Sequence, residues 1–228
     1  MKLYGALASP YVARVVMFAN LKGIDLPLES PPGGMGSDEY RRINPTGKIP
    51  SLQTDGHCIA ESEIICEYLE CVHPEPPLIP ADPIARAQAR MVSRMTDLYV
   101  APHNSPLRAM KDPARRDQAV IDRQAAEFAK GFSYIAHFMG SGPFAVGDQP
   151  TIGDCALAPF VGMLQQVVFP FFPEIPDPTA GDGRLADWWQ ALQGHPVCKQ
   201  TMDAYDEELK RFLVWLADVM AKREQGDG

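Results

Sequence analysis

Three short polar segments of this sequence carry residue types that can bind an anion or a small zwitterion. The first is Ser9-Pro10, which stands where a short predicted strand is followed by a helix. Serine is a favoured N-cap and proline a favoured first residue, so helix capping alone explains both. The same geometry places a hydroxyl beside free amide N–H groups and a positive helix end, where it can donate to a bound thiolate. Arg14 can add positive charge there, unless it faces solvent as most helix arginines do.

The second segment is Ile49-Pro50, which follows the turn-like sequence Asn-Pro-Thr-Gly at residues 44–47. A cis peptide bond before this proline would expose the Ile49 backbone to a ligand. An ordinary edge-strand proline is the other interpretation, and sequence alone leaves both open.

The third segment is Glu61-Ser62, directly before a predicted helix. Ser62 is well placed as an N-cap. Together with free helix amides it can also bind a carboxylate, while Glu61 pairs with an ammonium group. The pair therefore predicts a receptor for an α-amino acid group.

The elements that must position these segments follow an alternating order in the first third of the chain. Apolar residues at strand and helix spacing predict β-α-β-α-β-β-α, with a tight hairpin at Asp55-Gly56. This order is typical of a small α/β domain with a mixed sheet. Residues 73–83 then contain five prolines in eleven positions, which predicts a semi-rigid linker.

Everything beyond the linker has helical periodicity, so we expect an all-helical second domain. The predicted division is residues 1–73, a linker at 74–83, and residues 84–228. Asp112-Pro113 predicts the start of a long helix that runs to Met139. Thr151 and Asp154 form a capping pattern before an apolar run.

Composition excludes several classes of function. The 228 residues carry a formal charge of −8, which argues against non-specific binding to nucleic acid or to an anionic membrane. The longest uncharged apolar stretch, at residues 155–164, is too short to cross a bilayer, and the first residues lead into no signal-peptide core. Five cysteines without C-x-x-C or metal spacing indicate a reduced cytoplasmic protein, with no metal site and with cysteines buried as small residues.

Together these segments resemble the cytosolic glutathione transferases. The resemblance rests on Ser9-Pro10-Tyr11, on NPTGKIPSL at residues 44–52 and on ESEII at residues 61–65. The proline-rich linker and TIGD at residues 151–154 extend it across nearly the whole chain. It implies a thioredoxin-like domain that binds glutathione, a helical domain with a second-substrate pocket, and a homodimer with a role in detoxification.

The resemblance also implies roles for individual residues. Ser9 would stabilise the glutathione thiolate, aided by Arg14, and the Ile49 backbone before a cis-Pro50 would bind the cysteinyl segment. Glu61 and Ser62 would hold the γ-glutamyl group of glutathione, and Lys48 would hold its glycine carboxylate. The segment 33–38, which supplies a further basic or amide side chain in several classes, has no cation here.

The residue at position 9 decides between classes. Serine places the chain nearest the serine-type classes, such as tau, phi and zeta. A cysteine would form mixed disulfides, which serine cannot, so thiol transfer and dehydroascorbate reduction are disfavoured. Tyr4 is a rival hydroxyl, but its place inside the first strand favours a core residue.

The second substrate leaves no motif. Residues that can line its pocket are Tyr11, Met35, Tyr99 and His103, with Pro106, Phe169 and Phe172 as further candidates. Three activities stay open: conjugation of a hydrophobic electrophile, glutathione-dependent isomerisation, and ether or halide cleavage. The rival from another class is a non-catalytic protein of the same fold that binds ligands or regulatory partners.

Overall fold

A four-stranded mixed sheet forms the centre of the first part of the chain. The computed structural model describes the backbone of residues 1–226 and the side chains through Lys222. The strands are β1 (Lys2–Tyr4), β2 (Leu28–Glu29), β3 (Ser51–Thr54) and β4 (His57–Ala60). Their order is β2-β1-β3-β4, with β1 and β2 parallel and the other pairs antiparallel. The predicted mixed sheet and its hairpin are confirmed.

The other regular elements of the described chain are helices, joined by turns and irregular segments. Three belong to the sheet-containing part: α1 (Pro10–Leu21), α2 (Asp38–Ile43) and α3 (Ser62–Val72). The others are α4 (Pro83–Met95), α5 (Asn104–Met110), α6 (Gln118–Phe138), α7 (Ile152–Val167), α8 (Arg184–Gly194) and α9 (Pro196–Gly226). Helix α4 continues as a π-helical turn over Thr96–Val100 and a 3₁₀ turn over Ala101–His103.

The predicted start of the long sixth helix was wrong. Asp112 caps only the 3₁₀ turn Pro113–Arg115, where its carboxylate accepts a hydrogen bond from the Ala114 N–H at 2.9 Å. The chain then extends, and a second aspartate, Asp117, caps α6 through the first-turn amides. The sequence holds two adjacent capping signals, and the later one begins the helix.

Two charged residues fix the proline-rich segment to the sheet-containing part. The Glu70 carboxylate accepts hydrogen bonds from the Leu78 and Ile79 amides, at 3.2 Å each. Lys22, only 7% exposed, pairs with Glu70 at 2.8 Å and donates to the Pro76 carbonyl at 2.7 Å. The segment is therefore held along its length by side chains of α1 and α3.

The core of the helical part is built around α7. A Cβ on Gly153 would lie 2.7 Å from the Ala89 carbonyl oxygen, so glycine at this position allows α4 and α7 to approach closely. Next to it, the fully buried Asp154 accepts four hydrogen bonds. They come from the Ala145 amide (2.8 Å), the Thr151 amide (2.7 Å) and hydroxyl (2.8 Å), and the Trp188 indole (2.8 Å). The predicted capping pattern is present and also anchors a loop and α8.

Two expectations about packing need correction. Cys66, Cys155 and Cys198 are buried, where burial raises the pKa of their thiols, but Cys58 and Cys71 are exposed. The helical stripes that hold Trp188, Trp189 and Trp215 predict that all three pack, but Trp215 is 57% exposed, because α9 extends past the elements it packs against.

The described part of the chain lacks two kinds of feature. No helix there has the length and apolarity needed to cross a membrane. No group of three or more His, Cys, Asp or Glu side chains there has the geometry of a metal site.

The Asp154 network gives the first testable prediction. Asp154→Ala leaves at least three buried donors unpaired at ~1–3 kcal/mol each, so we expect a loss of more than ~3 kcal/mol in the free energy of unfolding. Trp188→Phe keeps the ring and removes one donor, and should cost only ~1.5–3 kcal/mol. Urea unfolding curves measure both, and equal losses would contradict the network.

Candidate functional site

Ser9 lies at the N-terminus of α1 with its hydroxyl uncommitted. Its backbone is extended (φ −83°, ψ 126°), and its carbonyl accepts the first helical hydrogen bond, from the Ala13 amide at 2.9 Å. The side chain is partly exposed and makes no capping hydrogen bond. Capping by the hydroxyl, which the sequence allowed, is thus not what the structure shows. The hydroxyl and the first amides of α1 are available to an anion.

Arg14 lies one turn further along α1 and does not face solvent. It is 1% exposed, and its guanidinium forms a two-pronged ion pair with the Asp97 carboxylate at 2.5 and 3.0 Å. Burial lowers the pKa of Arg14, but the hydrogen bonds and charge of Asp97 raise it to a net value above normal. Because Asp97 belongs to the π-helical turn after α4, this pair connects α1 to the helical part. Sequence reasoning missed Asp97, since nothing in its local pattern marks a partner 83 residues away.

The peptide bond between Ile49 and Pro50 is cis, so the first of the two open interpretations is confirmed. Two side chains hold the loop before it by binding the Lys48 carbonyl. The fully buried Tyr40 donates from its hydroxyl at 2.8 Å, and the Asn44 amide donates at 2.9 Å. The Lys48 side chain itself is exposed.

Glu61 has an unusual backbone conformation at the start of α3. Its φ of 68° and ψ of 116° are disfavoured for a residue with a side chain, and such strain concentrates at functional sites. The Glu61 carbonyl accepts from the Ile65 amide at 2.9 Å, so the backbone of Glu61 begins the helix. The prediction that Ser62 is the N-cap was therefore wrong by one residue: Glu61 is the N-cap, and Ser62, 5% exposed, is the first helical residue. The Glu61 side chain is exposed.

Tyr11 connects these groups to the helical part. Its ring packs edge-on against Phe160 of α7, with the centroids 5.0 Å apart. Burial raises the pKa of the Tyr11 phenol, and the nearby negative charges of Asp97 and Glu61 raise it further. Tyr11 is therefore a neutral phenol at physiological pH, next to both the α1 and the α3 segments.

The other residues predicted for the second-substrate pocket contact parts of the chain different from the one that Tyr11 contacts. Tyr99 packs against Tyr134 of α6 with ring centroids 5.4 Å apart. His103 Nδ1 lies 2.9 Å from the side-chain amide oxygen (Oε1) of Gln124, also on α6. Met35 is 67% exposed on the loop after β2.

Of the further candidates, Phe172 is fully buried and belongs to the core, Phe169 is partly buried, and Pro106 is exposed. Residues that sequence reasoning missed adjoin Phe160 instead. Met163 follows it by one turn of α7 and accepts a weak hydrogen bond from the Asn104 amide at 3.7 Å. Helical periodicity marked both α7 residues as apolar but gave no sign that Phe160 contacts Tyr11 or that Met163 contacts Asn104.

The ion pair of Arg14 and Asp97 gives the second prediction. Asp97→Ala leaves a buried guanidinium unpaired, so we expect a loss of about 3 kcal/mol in unfolding free energy. The matched control is Asp203→Ala, which breaks the exposed Lys199–Asp203 pair (2.7 Å) and should cost less than ~1 kcal/mol. Similar losses in urea titrations of the two variants would contradict a structural role for the buried pair.

Comparison with known proteins identifies the family. The sequence model of the glutathione S-transferase N-terminal domain matches residues 3–77, and that of the C-terminal domain matches residues 118–191. The maleylacetoacetate isomerase of Rattus norvegicus is 33% identical over 166 residues, which are 70% of this chain and 76% of that protein. The probable maleylacetoacetate isomerase 1 of Drosophila melanogaster is 33% identical over 136 residues, 59% of this chain. That match spans about half, 54%, of the Drosophila protein.

A solved structure shows the same fold. The holo structure of a maleyl pyruvate isomerase, described as a bacterial zeta-class glutathione S-transferase, has a TM-score of 0.71 at 24% identity. The alignment covers 90% of this chain and 98% of that one. The predicted thioredoxin-like first part and all-helical second part are thus confirmed, and the chain belongs to the glutathione S-transferase family.

Proposed function

We propose that the protein is an enzyme that binds glutathione between the N-termini of α1 and α3 and activates its thiolate for attack on an electrophilic carbon. One observation carries this proposal. The Ser9 hydroxyl stands uncommitted at the N-terminus of α1. The strained backbone of Glu61, with its exposed side chain, and the cis peptide bond before Pro50 support the proposal further. A protein of this fold that only bound partners would need none of the three.

The proposed glutathione contacts follow from these positions. The backbone of Ile49 binds the cysteinyl segment as an extended strand would. The γ-glutamyl carboxylate binds at the α3 N-terminus and Ser62, and its ammonium group pairs with the exposed Glu61.

Lys48 is the proposed partner of the glycine carboxylate. The structure adds a second cation nearby, Arg41, which lies outside the segment 33–38 in sequence. The Arg41 side chain donates from Nε to the Gly36 carbonyl at 3.0 Å, which brings a guanidinium onto that loop.

Thiol chemistry sets the energy that Ser9 must supply. A free thiol has a pKa of about 8.5 and is only a few per cent ionised at neutral pH. Lowering that pKa by ~2 units makes the thiolate dominant and takes about 2.7 kcal/mol, at 1.36 kcal/mol per unit. One hydrogen bond to a charged acceptor is worth ~1.5–3 kcal/mol, so the Ser9 hydroxyl and the α1 amides suffice together.

Arg14 has a positioning role in this proposal. Its charge is already matched by Asp97, so it contributes little net attraction to a thiolate. The pair instead fixes the orientation of α1, and through it the position of Ser9 relative to the helical part.

The second substrate binds beside Tyr11, against Phe160 and Met163. Aromatic and thioether side chains favour a flat or apolar electrophile at this position.

The names of the related proteins favour one second activity, a glutathione-dependent isomerisation. There the thiolate adds to one carbon of a double bond, the resulting single bond rotates, and elimination returns the thiolate and the isomer.

We also propose that the enzyme is a cytoplasmic homodimer. Large apolar side chains are exposed on neighbouring α3, α4 and the π-helical turn: Ile64 (50%), Ile84 (70%), Leu98 (46%) and Tyr99 (38%). A second copy covering this surface would bury them, as apolar surface of this kind normally requires.

Ser9→Ala tests the proposed mechanism. We expect its rate of conjugation at pH 6.5 to fall by ~10–100-fold with little change in glutathione affinity, because the lost hydrogen bond is worth ~1.5–3 kcal/mol. The loss should shrink as pH rises past ~8.5, where the free thiol ionises unaided. Stopped-flow or steady-state assays measure these rates.

Tyr11→Phe is the matched control for Ser9→Ala, because it removes a neighbouring hydroxyl that is neutral over this pH range. We expect it to change the pH dependence little. An equal loss in both variants, or no loss in Ser9→Ala, would place the activating group elsewhere.

A screen for activity separates the remaining alternatives. Glutathione-dependent turnover is measured with aryl halides, peroxides, β-aryl ethers and maleyl acids, and calorimetry measures binding of glutathione alone. Turnover with maleyl acids only identifies an isomerase. Absence of glutathione binding at millimolar concentration would contradict the enzyme in favour of a non-catalytic interaction protein.

A further inference from the structure

The last helix is longer than the surface it packs against. Helix α9 (Pro196–Gly226) has 31 residues, a length of about 46 Å at 1.5 Å per residue. In its first half Met202, Tyr205 and Leu209 are at most 3% exposed. Beyond Leu209 no side chain through Lys222 is fully buried. The second half of α9 therefore projects from the core.

This projecting half keeps the apolar face of the first half. Tyr205, Leu209, Phe212, Trp215 and Val219 follow one another at steps of three or four residues, so they share one face of the helix. Phe212 is 42% and Trp215 57% exposed, and their rings lie 5.7 Å apart. We call the exposed part of this face, residues 212, 215, 216 and 219, the α9 stripe. An exposed row of large apolar side chains marks an interaction surface.

Charged residues along one edge of the α9 stripe indicate what kind of partner surface would bind there. In chain order they are Glu208, Arg211, Asp218 and Lys222, and they lie within about 80° of arc at 100° per residue. Their charges alternate in sign along the chain. Each charge before Trp215 therefore has an opposite charge at a similar distance after it. Glu208 and Lys222 lie seven residues on either side of Trp215, while Arg211 and Asp218 lie four before it and three after it.

In an antiparallel pair of two identical helices, each of these charges can lie near an opposite charge on the other helix. Such a pair has a two-fold axis near Trp215, perpendicular to both helices. This axis places each residue opposite the position on the second helix that is equally far from Trp215. The charged edge of one helix then lies beside the charged edge of the other. Glu208 of one copy then faces Lys222 of the other, and Arg211, which is opposite position 219, lies one residue (about 1.5 Å along the axis) from Asp218. Every apposed pair on this edge is attractive, which is the self-complementarity that an isologous contact requires.

We propose that the α9 stripe binds the α9 stripe of a second copy of this chain in an antiparallel pair. In the single chain, Glu208 pairs with Arg211 at 2.5 Å and Asp218 with Lys222 at 2.7 Å, all on exposed side chains. In the pair, these two contacts become one network across the interface. The contact is separate from the surface on α3 and α4 proposed for the homodimer, so it joins dimers into larger assemblies.

The expected affinity is modest. About three turns of helix bury less surface than the ~1,200–2,000 Å² of a standard stable interface. The association should therefore depend on concentration and should be studied from low to several hundred micromolar protein.

Sedimentation equilibrium on the full chain tests the proposal. We expect the weight-average mass of the wild type to rise with concentration to about twice that of Trp215→Glu or more, because each homodimer would carry two α9 stripes. Ala217→Glu is the matched control, because Ala217 is exposed about 160° around the same helix from Trp215, and it should associate like the wild type. Equal masses for the wild type and Trp215→Glu at every concentration, or an equal loss in Ala217→Glu, would overturn the proposal.

Charge exchange tests the antiparallel register. Glu208→Lys places a lysine opposite Lys222 and should weaken association at least 10-fold. The double variant Glu208→Lys with Lys222→Glu exchanges both partners and should restore it to within about 3-fold. Failure of the restoration would contradict the two-fold register at Trp215.

Two measurements complete this test. Glutathione-dependent activity and far-ultraviolet circular dichroism should be unchanged in all the α9 variants, since the hydrogen bonds and ion pairs of the described residues 208–222 stay within α9. Flotation with vesicles of phosphatidylcholine and phosphatidylserine should leave the wild type unbound. Vesicle binding that Trp215→Glu abolishes, without any rise in protein mass, would overturn the proposal in favour of a membrane surface.

Discussion

The buried ion pair between Arg14 and Asp97 is the interaction on which the arrangement of the site depends. It is the point where α1, which carries Ser9 at its first turn, is fixed to the π-helical turn after α4. An unpaired guanidinium at this depth would be very unfavourable, so the two parts of the chain must meet in one relative position. Tyr11 packing against Phe160 then sets the distance between the glutathione segments and the proposed electrophile pocket.

The candidate site consists of polar groups that folding leaves uncommitted. The buried Asp154 of the helical part, by contrast, is paired through four hydrogen bonds. At the site, the Ser9 hydroxyl makes no capping bond, and Glu61 keeps a strained backbone with an exposed carboxylate. These groups lie at the N-termini of α1 and α3, where backbone amides favour bound anions. One tripeptide with two carboxylates and a thiolate can occupy all of them.

Much of this could be predicted from the sequence, because the signals are local. The strand and helix order, the cis-capable Ile49-Pro50 and the capping pattern at Thr151 each follow from a few adjacent residues. The errors share a physical cause. Asp112 and Asp117 give the same local capping signal, and only packing decides between them. The partners of Arg14, Tyr99 and His103 lie far away in sequence, so no local pattern could show that the first meets Asp97 and the others α6.

The central claim is that the Ser9 hydroxyl and the N-terminus of α1 lower the pKa of a bound thiol. The most direct measurement is a titration of the thiolate absorbance of glutathione bound to the enzyme, in wild type and in Ser9→Ala. The account predicts an apparent thiol pKa of about 6.5 in the wild type and a return toward the free value of about 8.5 in the variant. A bound thiol that titrates near 8.5 in both proteins would contradict it.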